Sequence, residues 1–327
     1  MNRRTFLKDS ALTCAAVATT SMLSGRPESA AAAELPVVWH WKDCSPTTLL
    51  KALAKVRNTL NGHIAVKLHT GEPHGPNIIP PAWAKQLVES LPHAMAVECN
   101  VLYPSPRKTT EGHRKTVQTN GWGIPIDIMD EDGDVPLPVE HGLHLTEVAV
   151  GKNLLTYDSL LILTHFKGHA MGGFGGSLKN IAIGCASGKL GKKQVHGVAA
   201  EGEADKPIPQ WPMGEYFMEL MADSGKAITD HFKSRYACIN VLRRMSVDCD
   251  CAGTRAAEPT VPDLGILAST DILAIDQASI DLVYALPHKE NKDLVERIES
   301  RKGLRQLSAM QELHMGSRKY RLVEEQS

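Results

Sequence analysis

Apolar strand-like segments alternate with amphipathic helical segments along most of this sequence, and that alternation limits the folds open to it. In the first hundred residues, strands are predicted over residues 35–41, 63–69 and 94–98, and helices over residues 45–56 and 80–91. Helices placed between successive strands are typical of a parallel sheet covered on its faces. The sequence therefore predicts an α/β fold with a mostly parallel or mixed sheet flanked by helices, formed by residues 34–327 as a single domain.

Polar side chains follow several of the predicted strands at the point where each strand ends. They are Lys67, His69, Glu98, Asn100, His165 and His169. In open α/β sheets, ligands bind beyond the carboxyl ends of the strands. We therefore expect these side chains to border one pocket, with Lys67, Asn100 and His113 on the same wall as cofactor-binding candidates.

Residues 164–196 are the densest cluster of reactive side chains, and an apolar strand at residues 160–163 leads into them. Glycines including Gly175 and Gly176 precede a short helix predicted from Ser177, on which Lys179 and Asn180 lie. Such glycines let backbone approach a ligand closely, and the helix start is a candidate anion site. The pattern is neither a P-loop nor a dinucleotide fingerprint, and tight packing of a turn against the sheet is the alternative.

The best candidate metal ligands are Cys249 and Cys251, which are separated by one residue and flanked by Asp248. In an extended segment, residues two apart point the same way, so both thiolates can face one ion. Thiolates suit zinc, copper(I) or Fe–S iron, and a carboxylate such as Asp248 completes a harder site. A pair of buried cysteines or a redox-controlled loop is the alternative interpretation.

His165 and His169 are candidate acid/base residues, with Lys179 as a further catalytic candidate. Their spacing also suits two ligands of one ion, to which His113, His196 or Cys185 would add a third. Histidines that are hydrogen-bonded in a polar crevice without metal would give the same pattern.

Residues 1–33 have the composition of a signal peptide, which we exclude from the fold. The string Arg3-Arg4-Thr5-Phe6-Leu7-Lys8 matches the twin-arginine export signal, and its apolar run is too short for a membrane span. We expect export by the twin-arginine machinery to the periplasm, with no membrane span after cleavage. The 36 basic and 37 acidic residues nearly balance, which argues against a nucleic-acid partner.

Four strings together resemble a known family. They are ECNVLYPSPRKTTEGH (98–113), the segment 164–196, VDCDC (247–251) and VPDLGILASTDILAIDQASIDLV (261–283). The chain resembles the uncharacterised Fe–S centre proteins within domain of unknown function 362, and the resemblance implies an α/β fold. Typical members carry a ferredoxin-like insert with CxxCxxCxxxCP motifs after the position of His196. Here residues 197–211 form a short linker without cysteine, so ferredoxin-type 4Fe–4S motifs are absent.

These observations favour an exported metal- or cofactor-binding protein that acts as a redox or metal-dependent enzyme. In this interpretation Lys67, Lys179 and Asn180 hold a small anionic molecule, and a metal ion or Fe–S cluster is bound nearby. A separate redox partner would replace the missing insert. Two alternatives stay open: a periplasmic binding protein without turnover, and a metal-free isomerase or racemase that uses His165 and His169.

Overall fold

The structure is a computed structural model that describes residues 34–198 and 211–326. An eight-stranded sheet forms its centre. Across the sheet, the strands are β12 (Arg321–Glu324), β1 (Val37–Trp41), β11 (Gly265–Ser269), β10 (Tyr236–Leu242), β7 (Ser159–His165), β2 (Ile64–Lys67), β3 (Ala94–Glu98) and β4 (Ile126–Ile128). The predicted segment 1–33 and most of the predicted linker 197–211 lie outside the described residues.

The sheet is mixed, with one reversed strand. β11 runs antiparallel to both of its neighbours, β1 and β10. The pairings β12–β1, β10–β7, β7–β2, β2–β3 and β3–β4 are parallel. The predicted α/β class with a mostly parallel or mixed sheet is confirmed. Since β10, β7, β2, β3 and β4 point the same way, their carboxyl ends meet at one edge.

Helices cover both faces of the sheet, as a parallel sheet requires. They are α1 (Pro46–Val56), α2 (Pro81–Glu89), α3 (Thr110–Thr119), α4 (Ser177–Gly184), α5 (Gly191–Val195), α6 (Glu215–Phe232), α7 (Ile272–Tyr284), α8 (His288–Ser300) and α9 (Arg305–Glu312). In β7, Leu160 and Ile162 join the core beneath α4, α6 and α7, whereas Leu161 and Leu163 join the core beneath α1 and α2. This alternation explains why the strand is apolar throughout.

The predicted helix starts follow from their capping residues. Ser45 accepts a hydrogen bond from the backbone N–H of Thr48, and Pro46 occupies the first turn of α1. α3 is capped in the same way, since the Thr109 side chain accepts a hydrogen bond from the backbone N–H of Gly112. None of the helices in the described residues combines the length and apolar character needed to cross a membrane.

The pairing of strands in two small ribbons was not predicted, although the sequence does predict a strand over residues 146–150. The strands β5 (Asp134–Pro138) and β6 (Glu147–Gly151) pair antiparallel, and so do β8 (Lys167–His169) and β9 (Gly173–Gly175). The second ribbon lies inside the segment interpreted as a glycine-rich loop. It places the side chains of Lys167 and His169 on a defined strand beyond the end of β7.

Candidate functional site

A cavity of about 290 Å³ lies at the carboxyl ends of β2, β3 and β7. Its wall is formed by strand ends, the β8–β9 ribbon, α4, α5 and the cysteine loop, which carries Cys249 and Cys251. The ionisable side chains that line it are Lys67, His69, Glu98, Cys99, Tyr103, Arg107, Lys167, His169, Lys179, Lys192, His196, Cys249 and Cys251. The cavity is therefore where the sequence predicted a pocket, at the edge where parallel strands end.

Cys249 and Cys251 lie side by side in this cavity, together with His169. One ligand atom from each of the three residues falls within 4.8 Å of the others. Neither cysteine is in a disulfide. Two thiol groups and an imidazole at this spacing match the donor set of a soft metal ion.

The loop that carries the two cysteines is tied to the sheet by the aspartate between them. Asp250 is buried and forms ion pairs with Lys167 Nζ at 3.1 Å and with His165 Nδ1 at 2.9 Å. Burial alone would raise the pKa of Asp250, but its positive partners hold that pKa well below its usual range. Asp250 therefore fixes the thiol pair against the end of β7 and β8.

The surroundings of Cys249 favour its thiolate form. A hydrogen bond from the Cys251 thiol lowers the pKa of Cys249 most, and burial opposes it. The charge of Lys179, whose Nζ lies 3.8 Å from Cys249 Sγ, and a hydrogen bond from His69 lower the pKa further. The pKa of Cys251 is raised in turn, because it donates that hydrogen bond. A thiolate is the form that binds metal or attacks an electrophile.

Two of the three histidines that line the cavity, His169 and His196, present opposite hydrogen-bonding groups. Gly172 N–H donates to His169 Nδ1 at 2.8 Å, so the neutral ring carries its proton on Nε2. His196 Nδ1 instead donates to the carbonyl of Lys192 at 2.6 Å, which leaves a lone pair on Nε2. The His196 ring is stacked on Phe217 with centroids 5.1 Å apart. Burial is the main cause that lowers the pKa of His196 to about 4 and that of His169 well below its usual value.

Lys67 and Asn180, two predicted ligand-binding residues, are engaged with the protein itself. Lys67 Nζ lies 2.9 Å from Glu98 Oε1 and donates to Asn180 Oδ1 at 3.0 Å. Asn180 Nδ2 donates to Leu163 O and Thr164 Oγ1, each at 3.0 Å. Both residues line the cavity, but their polar atoms brace α4 against the strand ends.

Arg107 closes another side of the cavity. Its Nε and one terminal nitrogen donate to Glu72 Oε1 at 3.0 and 2.8 Å, and Tyr103 contributes a further contact. Its other terminal nitrogen lies 3.9 Å from Glu98 Oε2. The guanidinium charge is therefore already balanced by carboxylates.

His165, expected to be a catalytic residue, is not part of the cavity lining. Its Nδ1 contacts Asp250, and its Nε2 donates to the carbonyl of Arg243 at 2.7 Å. With both ring nitrogens occupied, His165 holds the cysteine loop in place. His165 and His169 do not face a common ion, because they lie on different strands and make separate contacts.

Asp248 and Cys185, two predicted metal ligands, also lie apart from the thiol pair. Asp248 Oδ1 pairs with Arg297 at 3.0 Å, and its Oδ2 accepts from Ala257 N–H at 3.1 Å. Cys185 is buried at the end of α4, and burial raises its pKa to about 12. His196, the remaining metal candidate, does line the cavity.

Asn100 and His113 are buried outside the lining. Asn100 Nδ2 donates to Thr110 Oγ1 at 3.0 Å, and His113 Nε2 contacts Thr70 Oγ1 at 2.9 Å. Among the described residues, Asn100 Oδ1 and His113 Nδ1 have no hydrogen-bond partner. Burial lowers the pKa of His113 to about 3, so its ring is neutral.

The glycine-rich turn has a different role at each of its last two positions. The backbone N–H groups of Ser177 and Leu178 donate to the carboxylate of Asp276 at 2.7 and 2.9 Å. The expected anion site at the start of α4 is therefore occupied by an internal aspartate, against which Gly176 packs. A Cβ on Gly175 would lie 3.2 Å from Lys179 Cδ, so the missing side chain at Gly175 leaves room for the Lys179 side chain on the cavity wall.

Lys167 and Lys192 are cavity residues that sequence reasoning missed. Lys167 lies between two histidines in the string His165-Phe166-Lys167-Gly168-His169, where a two-residue alternation would have placed it on one face with them. Lys192 belongs to a lysine-rich segment that predicts an exposed helix, and no local sequence pattern indicates that Lys192 is buried.

The fold and this cavity define an α/β protein with a thiol- and lysine-lined pocket at the strand ends. The profile of the family described as domain of unknown function (DUF362) matches residues 64–281. The chain belongs to this family. The match covers the strand ends, the β8–β9 ribbon and the cysteine loop, so every residue that lines the cavity lies within the matched segment.

Two solved structures share partial similarity with this chain. The lactate racemase apoprotein from Thermoanaerobacterium thermosaccharolyticum is 11% identical with a TM-score of 0.38, over 64% of this chain and 51% of that one. A protein from Thermotoga maritima is 12% identical with a TM-score of 0.38, over 82% of this chain and 60% of that one. The matched region thus spans about half to three fifths of those proteins. The comparison with curated proteins gives no match.

Proposed function

We propose that this protein binds a soft metal ion, or a cofactor that contains one, through Cys249 and Cys251. The observation that carries the proposal is the approach of two thiol groups and the His169 imidazole to within 4.8 Å of one another inside a buried cavity. Thiolate ligands select zinc, copper(I) or Fe–S iron over harder ions. A cluster of exposed carboxylates would not select these ions.

The tautomer of His169 limits how it joins the ligand set. Its Nδ1 accepts from Gly172, so His169 ligates only after giving up that hydrogen bond or its Nε2 proton. The two thiolates are therefore the primary ligands, and His169 is the third. A bound ion would supply Lewis-acid or redox chemistry, while the surrounding lysines hold an anionic molecule beside it.

Metal analysis of protein purified anaerobically from its native host tests this proposal. We expect a stoichiometric metal in the wild type and less than a tenth of it in the Cys249→Ser/Cys251→Ser variant. Cys44→Ser is the matched control, since Cys44 is half-buried outside the cavity, where its thiol donates a hydrogen bond to the carbonyl of Leu242. A wild type without metal, or a double variant that keeps it, would contradict the proposal.

The opposite tautomers of His169 and His196 support turnover rather than simple carriage of an ion. One ring presents a proton and the other a lone pair in the same cavity, as proton transfer to and from a substrate requires. A metal-free isomerase-like reaction is the second candidate on this ground. Activity that survives complete removal of the metal would select it, and recovery of an unaltered small molecule with the native protein would favour a binding protein.

We further propose that the protein is exported by the twin-arginine route and acts in the periplasm. The Arg3-Arg4-Thr5-Phe6-Leu7-Lys8 string supports this proposal. The variant Arg3→Lys/Arg4→Lys should stay in the cytoplasm in a cell-fractionation assay, whereas the control Arg26→Lys should be exported. Unchanged export of the first variant would exclude this route.

A separate redox partner belongs to the same proposal if the bound group transfers electrons. The segment 197–211 has no cysteine, so it cannot hold the clusters of the ferredoxin-like insert that relatives resembling this chain carry. Electrons would then come from another protein.

A further inference from the structure

Lys192 is a buried lysine whose charge has no carboxylate partner. It is 4% exposed and lies in α5, on the wall of the cavity. Its Nζ donates to the carbonyl of Ala186 at 2.6 Å, and it takes part in no ion pair within residues 34–198 and 211–326. Lys179, 8% exposed, likewise has no carboxylate partner among these residues, and its Nζ lies 3.8 Å from Cys249 Sγ.

The other basic side chains of the cavity are balanced by carboxylates. Lys67 pairs with Glu98, and Lys167 pairs with Asp250 at 3.1 Å. Arg107 pairs with Glu72. A buried ammonium without a counter-ion is costly, because it loses its hydration and gains little in return. The positive charge of such a buried lysine is normally balanced by a bound anion. For Lys192, an anion could approach from the cavity.

The two lysines without a carboxylate partner line the same cavity, and His196 lines it as well. His196 is also joined to Lys192 directly, because its Nδ1 donates to the Lys192 carbonyl. Gly175 leaves room for the Lys179 side chain to extend across the wall.

The remaining wall of this cavity is mainly apolar. It includes Val101, Leu102, Met171, Ile183 and Trp211. A ligand that fits these surroundings has an apolar body and one compact charged end. Several charged groups on the ligand would exceed the two available ammonium groups.

We propose that Lys192 and Lys179 form an anion subsite that binds the carboxylate or phosphate end of an otherwise apolar small molecule. The sequence led us to expect an anion held by Lys67, Lys179 and Asn180. The subsite keeps Lys179 but replaces Lys67 and Asn180, whose polar atoms are already satisfied inside the protein, with Lys192. It rests on the proposed function only in that both use the same cavity. An anion at Lys179 lies beside the thiol pair, where a bound metal ion would reach the ligand.

Calorimetric titration of the full-length protein with three probes tests the subsite. Propanoate and inorganic phosphate carry the two oxyanions, and propanamide is the uncharged isostere of the first. We expect the wild type to bind at least one oxyanion at least tenfold more tightly than propanamide. Preference for propanoate or for phosphate identifies the head group. No binding of either anion, or equal binding of propanamide, would overturn the proposal.

Lys192→Met should weaken binding of the preferred anion at least tenfold and leave metal content unchanged. Lys189→Met is the matched control, since Lys189 is exposed on the same segment and should bind like the wild type. Unchanged affinity in Lys192→Met, or an equal loss in the control, would overturn the proposal. If metal is absent from every variant while this pattern holds, the metal proposal fails and the anion subsite stands.

Thermal unfolding separates this role from a structural one. Removal of an unbalanced buried charge should raise the melting temperature of the Lys192→Met variant without ligand, whereas a structural lysine would lower it. The preferred anion should raise the melting temperature of the wild type and of Lys189→Met, but not that of Lys192→Met. Should Lys192→Met fail to fold, Lys179→Met tests the same subsite by the same titration, and full anion affinity there would overturn the proposal.

Discussion

Glu98 occupies the centre of the charged network beneath the cavity. One of its oxygens lies 2.9 Å from Lys67 Nζ, and the other accepts a hydrogen bond from Thr70 N–H and lies 3.9 Å from Arg107. Burial acts to raise its pKa, but the charge of Lys67 and other positive groups hold the pKa well below its usual range. Glu98 therefore carries its negative charge at neutral pH and balances buried cations.

Glu98→Gln should lower the free energy of unfolding by about 3–5 kcal/mol, because it leaves Lys67 buried and unpaired. Glu89→Gln is the matched control: Glu89 lies 3.8 Å from Lys85 on an exposed face of α2, where side chains are 45% and 59% exposed. Its loss should cost at most about 1 kcal/mol. Urea unfolding of both variants gives the comparison, and similar costs would contradict the assigned role of Glu98.

The two aspartates beside the cysteines should differ in their effect on metal content. Asp248→Asn should retain the wild-type metal, since its carboxylate is paired with Arg297 rather than with the thiol groups. Asp250→Asn should lose most of it, because the cysteine loop loses its ion pairs to Lys167 and His165. Elemental analysis of the two purified variants measures this, and loss of metal in Asp248→Asn would make that residue a ligand after all.

Among the elements, α4 connects the cavity to the core through the buried carboxylate of Asp276. That carboxylate accepts from Ser177 N–H, Leu178 N–H and Asn240 Nδ2. Negative charge at a helix start is favourable, yet burial outweighs these bonds and raises the pKa of Asp276 from 3.8 to about 6. The position of Lys179 in the cavity depends on this contact, since it lies in the first turn of α4.

The raised pKa of Asp276 predicts a pH dependence of stability. Between pH 3.8 and about 6 the folded protein holds a proton that the unfolded chain has released. The contribution of Asp276 to stability is therefore full below pH 3.8 and falls as pH rises through 6, by about 3 kcal/mol in total.

Asp276→Asn should remove this slope and, by leaving one backbone N–H unpaired, lower stability by about 1–3 kcal/mol at pH 5. Urea unfolding of wild type and variant at pH 5 and pH 7 tests both effects. A gap between the two proteins that is larger at pH 7 than at pH 5 would have the wrong sign.

Regular elements of this fold are predictable from the sequence because local patterns determine them. The nearly continuous apolar run over residues 236–242 predicts a strand buried on both faces, and β10 occupies those residues. The β8–β9 ribbon was missed, because Lys167–His169 and Gly173–Gly175 have no apolar alternation and owe their pairing to the structure around them. The antiparallel direction of β11 likewise could not be predicted, because hydrophobic periodicity does not indicate the direction of a strand.

The candidate site was predictable in location but not in the state of its side chains. Strand ends placed Lys67, His169 and the two cysteines near one pocket. Whether a polar atom faces the cavity depends on partners far away in the chain, and so His165 could not be distinguished from His169. Lys192 is the clearest case, because its burial comes from packing of α5 against β6 and α6 rather than from its own neighbours in sequence.

At the scale of the whole molecule, the sheet separates two apolar cores and brings its parallel strand ends to one edge. β7 and β10 are central, are hydrogen-bonded on both sides, and are buried along nearly their full length. This rigid centre carries the cavity, which suits a site that must hold side chains in fixed positions.

The edges of the sheet are unequal, and this leads to a prediction about local opening. β12 pairs only with β1 and is mostly exposed, whereas β4 pairs only with β3 but is largely buried. Opening free energies approach the global value only in buried central elements. In native-state hydrogen exchange, we expect the slowest amides in β7 and β10, intermediate amides in β4 and the fastest strand amides in β12.

The comparison of the two edges makes this test informative. If position at an edge alone controlled opening, β4 and β12 would exchange equally fast. If burial controls it, the amides of β4 should exchange at least tenfold more slowly than those of β12, a difference of about 1.4 kcal/mol in opening free energy. Equal protection of β12 and β7 would mean that the sheet opens only as a unit, and that the cavity edge is no more rigid than the rest of the protein.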